Sequence, residues 1–362
     1  MKKVLSLLLS CAMVLCMGIA LTGCGSDKKE SGGGEATVHV FYYSNADPYI
    51  SSVRAVLDKQ LKDAGIVAQN YDGNNNQTTQ SEQIDTAITK GAKVLVVNLV
   101  NTKSVDAAQA IVDKAKAKDI PVIFFNREVD SSVVKSYEKC AFIGTDAAEA
   151  GHLQGKMVGE YLLKDYDKYD LNKDGKISYV MFKGEEGNNE ATYRTQYGVE
   201  DANKVLKDAG KSELVFYDAA NANKYLVDKD GAWSSKASQE YMDTALASYS
   251  EGNKNMIELV ICNNDGMAEG AITSLKTAGY NTGSGKTIPV FGVDATASAI
   301  ELIKAKSMAG TIKQDAEGMA KAITLLAGNA NGGKGLMDGT TSYNIDKDVA
   351  KIRIPYAQYL GE

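Results

Sequence analysis

The stretch Val94-Leu-Val-Val-Asn-Leu-Val100 decides the fold class of this 362-residue chain. It is an almost unbroken apolar run, which is typical of a β-strand buried on both faces of a parallel sheet. Helical patterns flank it over residues 77–90 and 104–118. A strand between two helices belongs to a βαβ unit, and the same alternation continues in both directions along the chain.

The other predicted elements repeat this alternation. Predicted strands are 37–43, 66–71, 94–100, 120–125, 176–182, 213–217, 257–262, 288–293, 308–312, 342–345 and 351–356. Predicted helices are 48–64, 77–90, 104–118, 147–164, 190–209, 234–249, 267–278, 298–306 and 316–326. These strands are too many for one small sheet. We therefore predict an α/β protein with two doubly wound, Rossmann-like parallel-sheet lobes joined by a hinge.

The first residues read as an export signal rather than as part of the fold. Lys2 and Lys3 precede an apolar run at 4–21, which predicts a secretory signal peptide over residues 1–23. The alternative is an uncleaved transmembrane anchor. The sequence Leu21-Thr-Gly-Cys24 resembles the lipobox of bacterial lipoproteins, which implies that Cys24 becomes the lipid-carrying N-terminus. Residues 24–36 are rich in glycine and charge, so we predict a flexible tether there.

Composition argues against several classes of function. Removing residues 1–23 removes two lysines and changes the formal net charge from −6 to about −8, which disfavours nucleic acid as a partner. The two histidines, His39 and His152, are far apart in the chain. A histidine-rich zinc site is therefore excluded, and a Ser-His-Asp triad is poorly supported. No G-x-G-x-x-G or P-loop motif follows a predicted strand, which disfavours a nucleotide phosphate site. Whether Cys140 and Cys262 pair is left open.

Residues 170–178 have the spacing of an EF-hand calcium loop, D-x-N-x-D-G-x-I-x. Calcium prefers a shell of oxygen ligands. The predicted ligands are Asp170, Asn172, Asp174, the backbone carbonyl of Lys176, and Ser178. The twelfth position, where the motif has a bidentate glutamate, is Met181. The loop would therefore need a carboxylate from elsewhere in the chain. The alternative is a solvated Asp/Asn/Gly turn.

Polar residues follow the predicted strands, and ligands of doubly wound sheets bind at the carboxyl ends of the strands. They are Asp47, Asn98, Asn126-Arg127-Glu128, Asn263-Asn264-Asp265 and Asp294. Carboxylates, amides and an arginine suit a neutral polyhydroxylated ligand, because each hydroxyl both donates and accepts. Tyr49 and Trp233 are candidate platforms for a sugar ring. The alternatives are core packing for the aromatic residues and turn formation for the Asp and Asn residues.

The chain resembles the glucose/galactose-binding branch of the bacterial sugar-binding proteins that serve ABC importers, from about residue 38 to residue 356. The resemblance is carried by Ser51-Ser-Val-Arg54, Lys90-Gly-Ala-Lys93, Asn98-Leu-Val100, Phe124-Phe-Asn126, Gly144-Thr-Asp146, residues 170–177, Lys183-Gly-Glu185, Asn263-Asn-Asp265 and Phe291-Gly-Val-Asp294. It implies a type I periplasmic-binding-protein fold. The lobes would span 37–126 with 314–342, and 127–313 with 343–362, and would close over one sugar.

The resemblance also implies which residues contact the sugar. They are Asp47, Tyr49, Asn98, Asn188, Glu190, Arg194, Trp233, Asn264, Asp294 and Gln314. Tyr49 and Trp233 would stack on the two ring faces, and Asp47 would accept from the hydroxyl that differs between glucose and galactose. Four positions depart from the family's usual residue, with Tyr49 in place of Phe, Asn188 of His, Glu190 of Asp, and Gln314 of Asn. An insertion at about 221–231 precedes Trp233.

The missing calcium ligand also has a counterpart in the family, which implies that Glu258 completes the metal site. The alternative for Glu258 is a solvated charge at a strand end. Taken together, the resemblance implies a lipid-tethered, extracytoplasmic solute-binding protein that is not an enzyme. It would carry structural calcium and deliver glucose, galactose or a close monosaccharide to an ABC permease with its ATPase, with a chemoreceptor as a further partner.

We expect a monomer that touches the membrane only through its lipid anchor. Two other functions stay open from the sequence. One is a sugar-sensing lipoprotein that signals to a membrane receptor kinase. The other is a glycoside hydrolase that uses Asp47 and Glu190 as its carboxylate pair.

Overall fold

The computed structural model describes residues 35–361. The predicted signal peptide and the lipidation site Cys24 lie outside these residues. Within residues 35–361, the helices are all too short or too polar to span a bilayer.

Strands and helices alternate along the described residues, as the sequence predicted. The strands are β1 (Val38–Tyr42), β2 (Ala68–Asp72), β3 (Val94–Val97), β4 (Val122–Phe125), β5 (Cys140–Gly144), β6 (Ser178–Lys183), β7 (Val215–Phe216), β8 (Leu226–Val227), β9 (Leu259–Cys262), β10 (Val290–Asp294), β11 (Gly310–Gln314), β12 (Asn344–Ile345), β13 (Lys351–Arg353) and β14 (Tyr356–Tyr359). The helices are α1 (Pro48–Asp63), α2 (Gln77–Thr89), α3 (Asp106–Lys116), α4 (Ser131–Lys135), α5 (Ala147–Leu163), α6 (Tyr166–Tyr169), α7 (Asn189–Asp208), α8 (Ser235–Leu246), α9 (Asp265–Thr277), α10 (Ala297–Lys304) and α11 (Ala316–Asn331).

The strands form two mainly parallel sheets. The first has the order β12-β13-β5-β4-β3-β1-β2, and the second has the order β14-β11-β10-β9-β6-β7, with β8 also paired to β6. Only the β12–β13 and β11–β14 pairs are antiparallel in the described residues. We call each sheet with its helices a lobe. The prediction of an α/β protein with two parallel-sheet lobes is confirmed.

The predicted lobe boundaries at residues 126 and 342 are wrong. Strand β5 pairs with β4 and with β13, so residues 140–144 and 351–353 lie in the first sheet rather than in the second lobe. The chain crosses between the sheets at 145–146, at 315 and at 354–355. At one crossing, the backbone N–H of Ile354 donates to the carbonyl of Gly144 at 2.7 Å. The hinge therefore consists of three adjacent chain segments.

Helix α7 carries several candidate site residues, and its position depends on close packing against α5. Three glycines of α5, Gly151, Gly155 and Gly159, face α7 at intervals of one helical turn. A Cβ atom at Gly155 would overlap the carbonyl oxygen of Tyr197 on α7. The absence of side chains at these positions allows the two helix backbones to approach each other.

We expect Gly155→Ala to destabilise the protein by about 1–3 kcal/mol, because the added methyl group forces α5 and α7 apart. The matched control is Gly328→Ala on α11, where the nearest atom to an added Cβ is Ile66 Cδ1 at 3.7 Å. That control should be neutral or stabilising by up to about 1 kcal/mol, since alanine favours helix. Urea unfolding followed by circular dichroism measures both. Equal effects of the two variants would contradict the packing argument.

Candidate functional site

One cavity lies where the carboxyl ends of strands from both sheets meet. The empty space between its lining atoms is about 380 Å³, part of which is open to solvent. The first lobe contributes residues after β1 and β4, and the second contributes residues after β6, β8 and β9 and the last residues of β10 and β11. The lining residues are Tyr43, Asp47, Tyr49, Asn126, Arg127, Asn188, Glu190, Arg194, Trp233, Asn264, Asp294 and Gln314. Nine of the ten residues predicted to contact the ligand are among them, and Asn98 is not.

Three of the lining side chains also begin helices. Asp47, Asn188 and Asn264 are the N-caps of α1, α7 and α9, and each accepts from a backbone N–H in the first turn, at 2.9, 3.0 and 2.9 Å respectively. This bond fixes the orientation of the side chain, since the N-cap oxygen must face the helix. The remaining polar atom of each side chain is then held at the cavity. One such atom, Nδ2 of Asn264, donates to the carbonyl of Trp233 at 3.2 Å.

Several buried polar atoms around the cavity have no hydrogen-bond partner within residues 35–361. They include Glu190 Oε2, Arg194 Nε and Gln314 Nε2. The rest of each side chain is held firmly, as Arg194 donates to the carbonyl of Asn263 at 2.9 Å and to the hydroxyl of Tyr356 at 2.8 Å. Leaving a buried polar atom unpaired costs about 1–3 kcal/mol. A ligand that supplies both donors and acceptors would therefore relieve this cost.

Two aromatic side chains complete the wall. Trp233 has a left-handed backbone, with φ of +55°, and its indole packs against Gly184 so closely that a Cβ atom there would overlap the ring. The guanidinium carbon of Arg194 lies 5.7 Å from the centre of the indole ring. Tyr49 is buried, and its hydroxyl donates to Met319 Sδ at 3.7 Å. Both rings are thus fixed by the protein before any ligand arrives.

Burial controls the charge state of two cavity carboxyl groups. It raises the pKa of Asp294 well above its ordinary value, with a further increase from the charge of Asp265 and an opposing effect from Arg194. Burial also raises the pKa of Glu190, again against the effect of Arg194. Both groups have lost water without gaining a full set of donors, so hydroxyl donors from a ligand would stabilise their charged forms.

Contacts between the lobes cross the cavity at several points. Arg127, after β4, forms a buried ion pair with Glu185, after β6, and its guanidinium carbon lies 4.4 Å from the centre of the Tyr43 ring. The backbone N–H of Glu128 donates to Glu190 Oε1 at 3.3 Å. At the edge, Nδ2 of Asn75 donates to the carbonyl of Asp230 in the inserted segment at 3.0 Å. The lobes are therefore held together around the cavity.

Asn98 is the one predicted sugar contact that is not among the residues lining the cavity. Its side chain is fully buried behind the cavity wall, where Oδ1 accepts from the backbone N–H of Tyr43 at 3.2 Å. Its Nδ2 donates to the carbonyl of Phe125 and to Asn126 Oδ1, both at 3.1 Å. These partners lie at the carboxyl end of β4 and in the loops that follow β1 and β4. Asn98 therefore braces those loops rather than lining the cavity.

Tyr43, Asn126 and Arg127 line the cavity but were absent from the predicted set. Asn126 and Arg127 carried a usable signal, because they directly follow a buried strand, where ligands bind in this architecture. Tyr43 carried no such signal. Its role is visible only in the structure, where its hydroxyl donates to Asp47 Oδ2 at 2.5 Å.

Glu258, the predicted partner of the candidate metal loop at residues 170–178, contacts that loop. Glu258 is 1% exposed, and its two carboxylate oxygens accept from the backbone N–H groups of Asn172 at 2.7 Å and Ser178 at 2.8 Å. Asp170 accepts from the backbone N–H groups of Asp174 and Gly175 at 3.2 and 3.0 Å. Glu258 is therefore a buried residue bonded to the loop and not a solvated charge at a strand end.

The donor set of this loop fits a hard cation only in part. Every candidate ligand is an oxygen, as calcium requires. Burial raises the pKa of Glu258, and the charge of nearby Asp170 raises it further, so a cation there would relieve an electrostatic cost. However, Asn172 Oδ1 already accepts from the backbone N–H of Met256 at 2.7 Å. In residues 35–361 no three His, Cys, Asp or Glu side chains converge as closely as a metal cluster would.

Comparison with known proteins places this geometry among binding proteins. The sequence matches the periplasmic binding protein domain family over residues 38–335. It is 34% identical over 357 residues to the D-galactose/methyl-galactoside binding periplasmic protein MglB of Haemophilus influenzae, which covers 98% of this chain and 96% of that protein.

Two solved structures share the fold. An ABC transporter solute binding protein from Clostridium phytofermentans with bound β-D-glucose has a TM-score of 0.67 at 23% identity, covering 90% of this chain and 94% of its own. A solute binding protein from Bacillus halodurans with bound myo-inositol has a TM-score of 0.66 at 22% identity, covering 91% and 96%.

Proposed function

The chain belongs to the periplasmic binding protein family, and from this premise we propose that it holds one neutral monosaccharide, D-galactose, D-glucose or a close relative, between its two lobes. The observation that carries the proposal is the set of buried, unpartnered polar atoms at the cavity, on Glu190, Arg194 and Gln314. They include an acceptor and donors, and a ring of hydroxyl groups can pair with both kinds. The aromatic rings of Tyr49 and Trp233 would contact the apolar faces of the sugar.

The charges at the cavity favour a neutral ligand. Asp47, Glu190 and Asp294 are carboxyl groups of the wall, whereas the guanidinium of Arg127 is already paired with Glu185. Arg194 is the other arginine of the lining residues. A sugar acid or sugar phosphate would add negative charge to this environment, so it should bind more weakly than the uncharged sugar.

The family and the relatives are binding proteins rather than enzymes. The two carboxylate oxygens of Asp47 each accept one hydrogen bond and keep a lone pair for a ligand hydroxyl. Oδ1 accepts from the N-terminal turn of α1, and Oδ2 accepts from the hydroxyl of Tyr43.

The sugar would be captured outside the cytoplasm and delivered to an ABC permease with its ATPase. A ligand that contacts both lobes stabilises the closed arrangement by its differential affinity for that state. The permease, and a chemoreceptor where one is present, would recognise the closed form of the monomer. The signal peptide at residues 1–23 and a lipid on Cys24 would supply export and anchoring, with residues 24–36 as the tether.

Direct binding measurements test the sugar proposal. We expect D-galactose and D-glucose to change the fluorescence of Trp233, the only tryptophan of the chain, and to bind in calorimetry. Asp47→Ala should weaken binding about tenfold to hundredfold, the effect of losing one buried hydrogen bond to a charged group.

The matched control for Asp47→Ala is Asp130→Ala. Asp130 is also a helix N-cap, on α4, but it lies outside the cavity and outside the hinge segments. Its loss should lower stability without changing the affinity for the sugar. The proposal is wrong if a panel of hexoses and pentoses produces neither heat nor a fluorescence change with the unmodified protein.

Acid should weaken sugar binding. Asp294 and Glu190 have pKa values above their ordinary values of 3.8 and 4.5 in the free protein, because they are buried. Ligand hydroxyls favour the charged forms, so affinity should fall as the pH falls through these raised pKa values. The pH at the midpoint of this loss of affinity also depends on the charged neighbours of the two groups, which are Arg194, Arg127, Glu128, Asp265 and Asp47. Calorimetry from neutral to mildly acidic pH measures the effect, and Glu190→Gln should reduce the pH dependence.

We also propose that the 170–178 loop binds structural calcium. The ion would be held by the side chains of Asp170, Asn172, Asp174, Ser178 and Glu258 and by the backbone carbonyl of Lys176. The support is the all-oxygen donor set and the two buried carboxylates, Asp170 and Glu258, beside each other. The ion would supply charge compensation and would cross-link the loop to the residue before β9. Asn172 would exchange its bond to Met256 for a metal bond.

A chelator should lower the melting temperature of the protein and leave its sugar affinity nearly unchanged, because the loop lies outside the cavity. Glu258→Gln should melt at a lower temperature than the unmodified protein in calcium and respond little to the chelator. Differential scanning calorimetry with and without added calcium gives both results. A chelator effect on sugar affinity with no effect on melting would contradict a structural role.

A further inference from the structure

The turn after β10 carries the cavity residue Asp294 in a strained backbone conformation. Asp294 has φ of +130° and Ala295 has φ of +57°. Residues with a side chain rarely adopt positive φ, and each such residue costs on the order of 1–3 kcal/mol. Two in succession at a lining position require an arrangement that holds the turn.

The side chain of Asp265 provides such an arrangement from behind the cavity wall. Asp265 is the first residue of α9, is completely buried, and does not line the cavity. Its Oδ2 accepts from the backbone N–H of Thr296 at 2.8 Å, and its Oδ1 accepts from the hydroxyl of Thr311 at 2.6 Å. The same Thr311 oxygen accepts from the backbone N–H of Ala295 at 3.4 Å. Asp265 therefore holds the turn directly at Thr296 and through Thr311 at Ala295.

The strand next to Asp265 leaves room for its carboxylate. A Cβ atom at Gly292 on β10 would overlap Asp265 Oδ1, so only glycine allows the carboxylate to lie against this strand. The hydrogen bonds that join Asp265 to the turn and to Thr311 are those of its side chain.

The groups that face Asp265 make a purely stabilising role unconvincing. They are neutral donors, Thr296 and Thr311, and the carboxylates of Glu269 and Asp294. A buried carboxylate without a cation is costly. The cost is understandable if the two acceptor oxygens of one residue are needed to fix two separate points of the strained turn.

We propose that Asp265 is a positioning residue for ligand binding, which holds the Asp294–Thr296 turn so that the Asp294 carboxylate faces the bound molecule. This inference rests on the proposed sugar-binding function. It assigns no ligand contact to Asp265 itself. Its effect on affinity would pass through Asp294, and its removal would release the turn towards ordinary negative φ values.

Affinities for a set of monodeoxy-galactoses and galactose provide the first test. Asp265→Ala should weaken galactose binding at least about tenfold, as expected for loss of buried hydrogen bonds. The loss should be smallest for the same deoxy sugar that Asp294→Asn affects least, because both variants lose the contact to one hydroxyl. Thr311→Val, which keeps the size of the side chain, should show the same profile with a smaller loss.

Asp265→Asn is the matched control. Its amide oxygen can accept from Thr296 and its amide nitrogen can donate to Thr311, so it should restore affinity to within about threefold of the unmodified protein. A role in stability alone would instead weaken the binding of every sugar equally. That outcome, or a failure of Asp265→Asn to restore binding beyond Asp265→Ala, would overturn the proposal.

A crystal structure of ligand-free Asp265→Ala separates this inference from the proposed function. We expect Asp294 and Ala295 to leave the positive-φ region in the variant. An unchanged turn would overturn the positioning role whatever the ligand is. If the unmodified protein binds none of the sugars, the proposed function fails, and the conformation of the turn in the variant still decides the role of Asp265.

Discussion

The need to pair buried polar atoms governs the interface between the two lobes. Sheets whose strands end in Asp, Asn and Arg side chains cannot close over one another without removing those groups from water. The structure meets most of this demand internally, through the Arg127–Glu185 ion pair and the bonds of Arg194 to Asn263 and Tyr356. Some of the atoms that stay unpaired belong to residues that line one cavity, Arg127, Glu190, Arg194 and Gln314. Ligand recognition is thus the part of the hydrogen-bonding requirement that the fold leaves for another molecule.

Folding and recognition use the same side chains at this interface. Asp47, Asn188 and Asn264 each begin a helix and each line the cavity. Their caps need one polar atom, and the second polar atom of each side chain bonds to a further residue, Tyr43, Thr102 or Trp233. A change that improves the wall at these positions would therefore also have to preserve the cap. This double role limits the substitutions available for altering specificity without loss of stability.

The sequence could predict features that depend on local pattern, and it failed where distant pairing decides the outcome. The apolar run at Val94–Val97 and its flanking helices fixed the α/β class, and residues after strands supplied most of the cavity. Strand β5 was not predicted, and its residues were assigned to the second lobe, whereas β5 pairs with β4 and also with β13, more than two hundred residues later in the chain. Asn98 has the right residue type at a strand end, but its orientation towards Tyr43 and Phe125 depends on the packing of two loops.

Strand β9 connects the candidate metal loop to the cavity, because Glu258 precedes this strand and Asn263 and Asn264 follow it. Glu258 precedes this strand and holds the backbone before and at the start of β6, through Asn172 and Ser178. Asn263 follows the strand, and its Oδ1 accepts from the backbone N–H of Gly184, after β6, at 3.1 Å. The paired strands β6 and β9 are therefore tied at both ends. The indole of Trp233 packs against Gly184. The bond between Asn263 and Gly184 therefore supports the cavity wall directly. The bonds of Glu258 to Asn172 and Ser178 lie a full strand length from the cavity, roughly 13 Å for four residues. They act on the cavity only through the rigidity of the sheet. Loss of the Glu258 bonds should therefore affect the stability of the lobe more than the arrangement of the cavity.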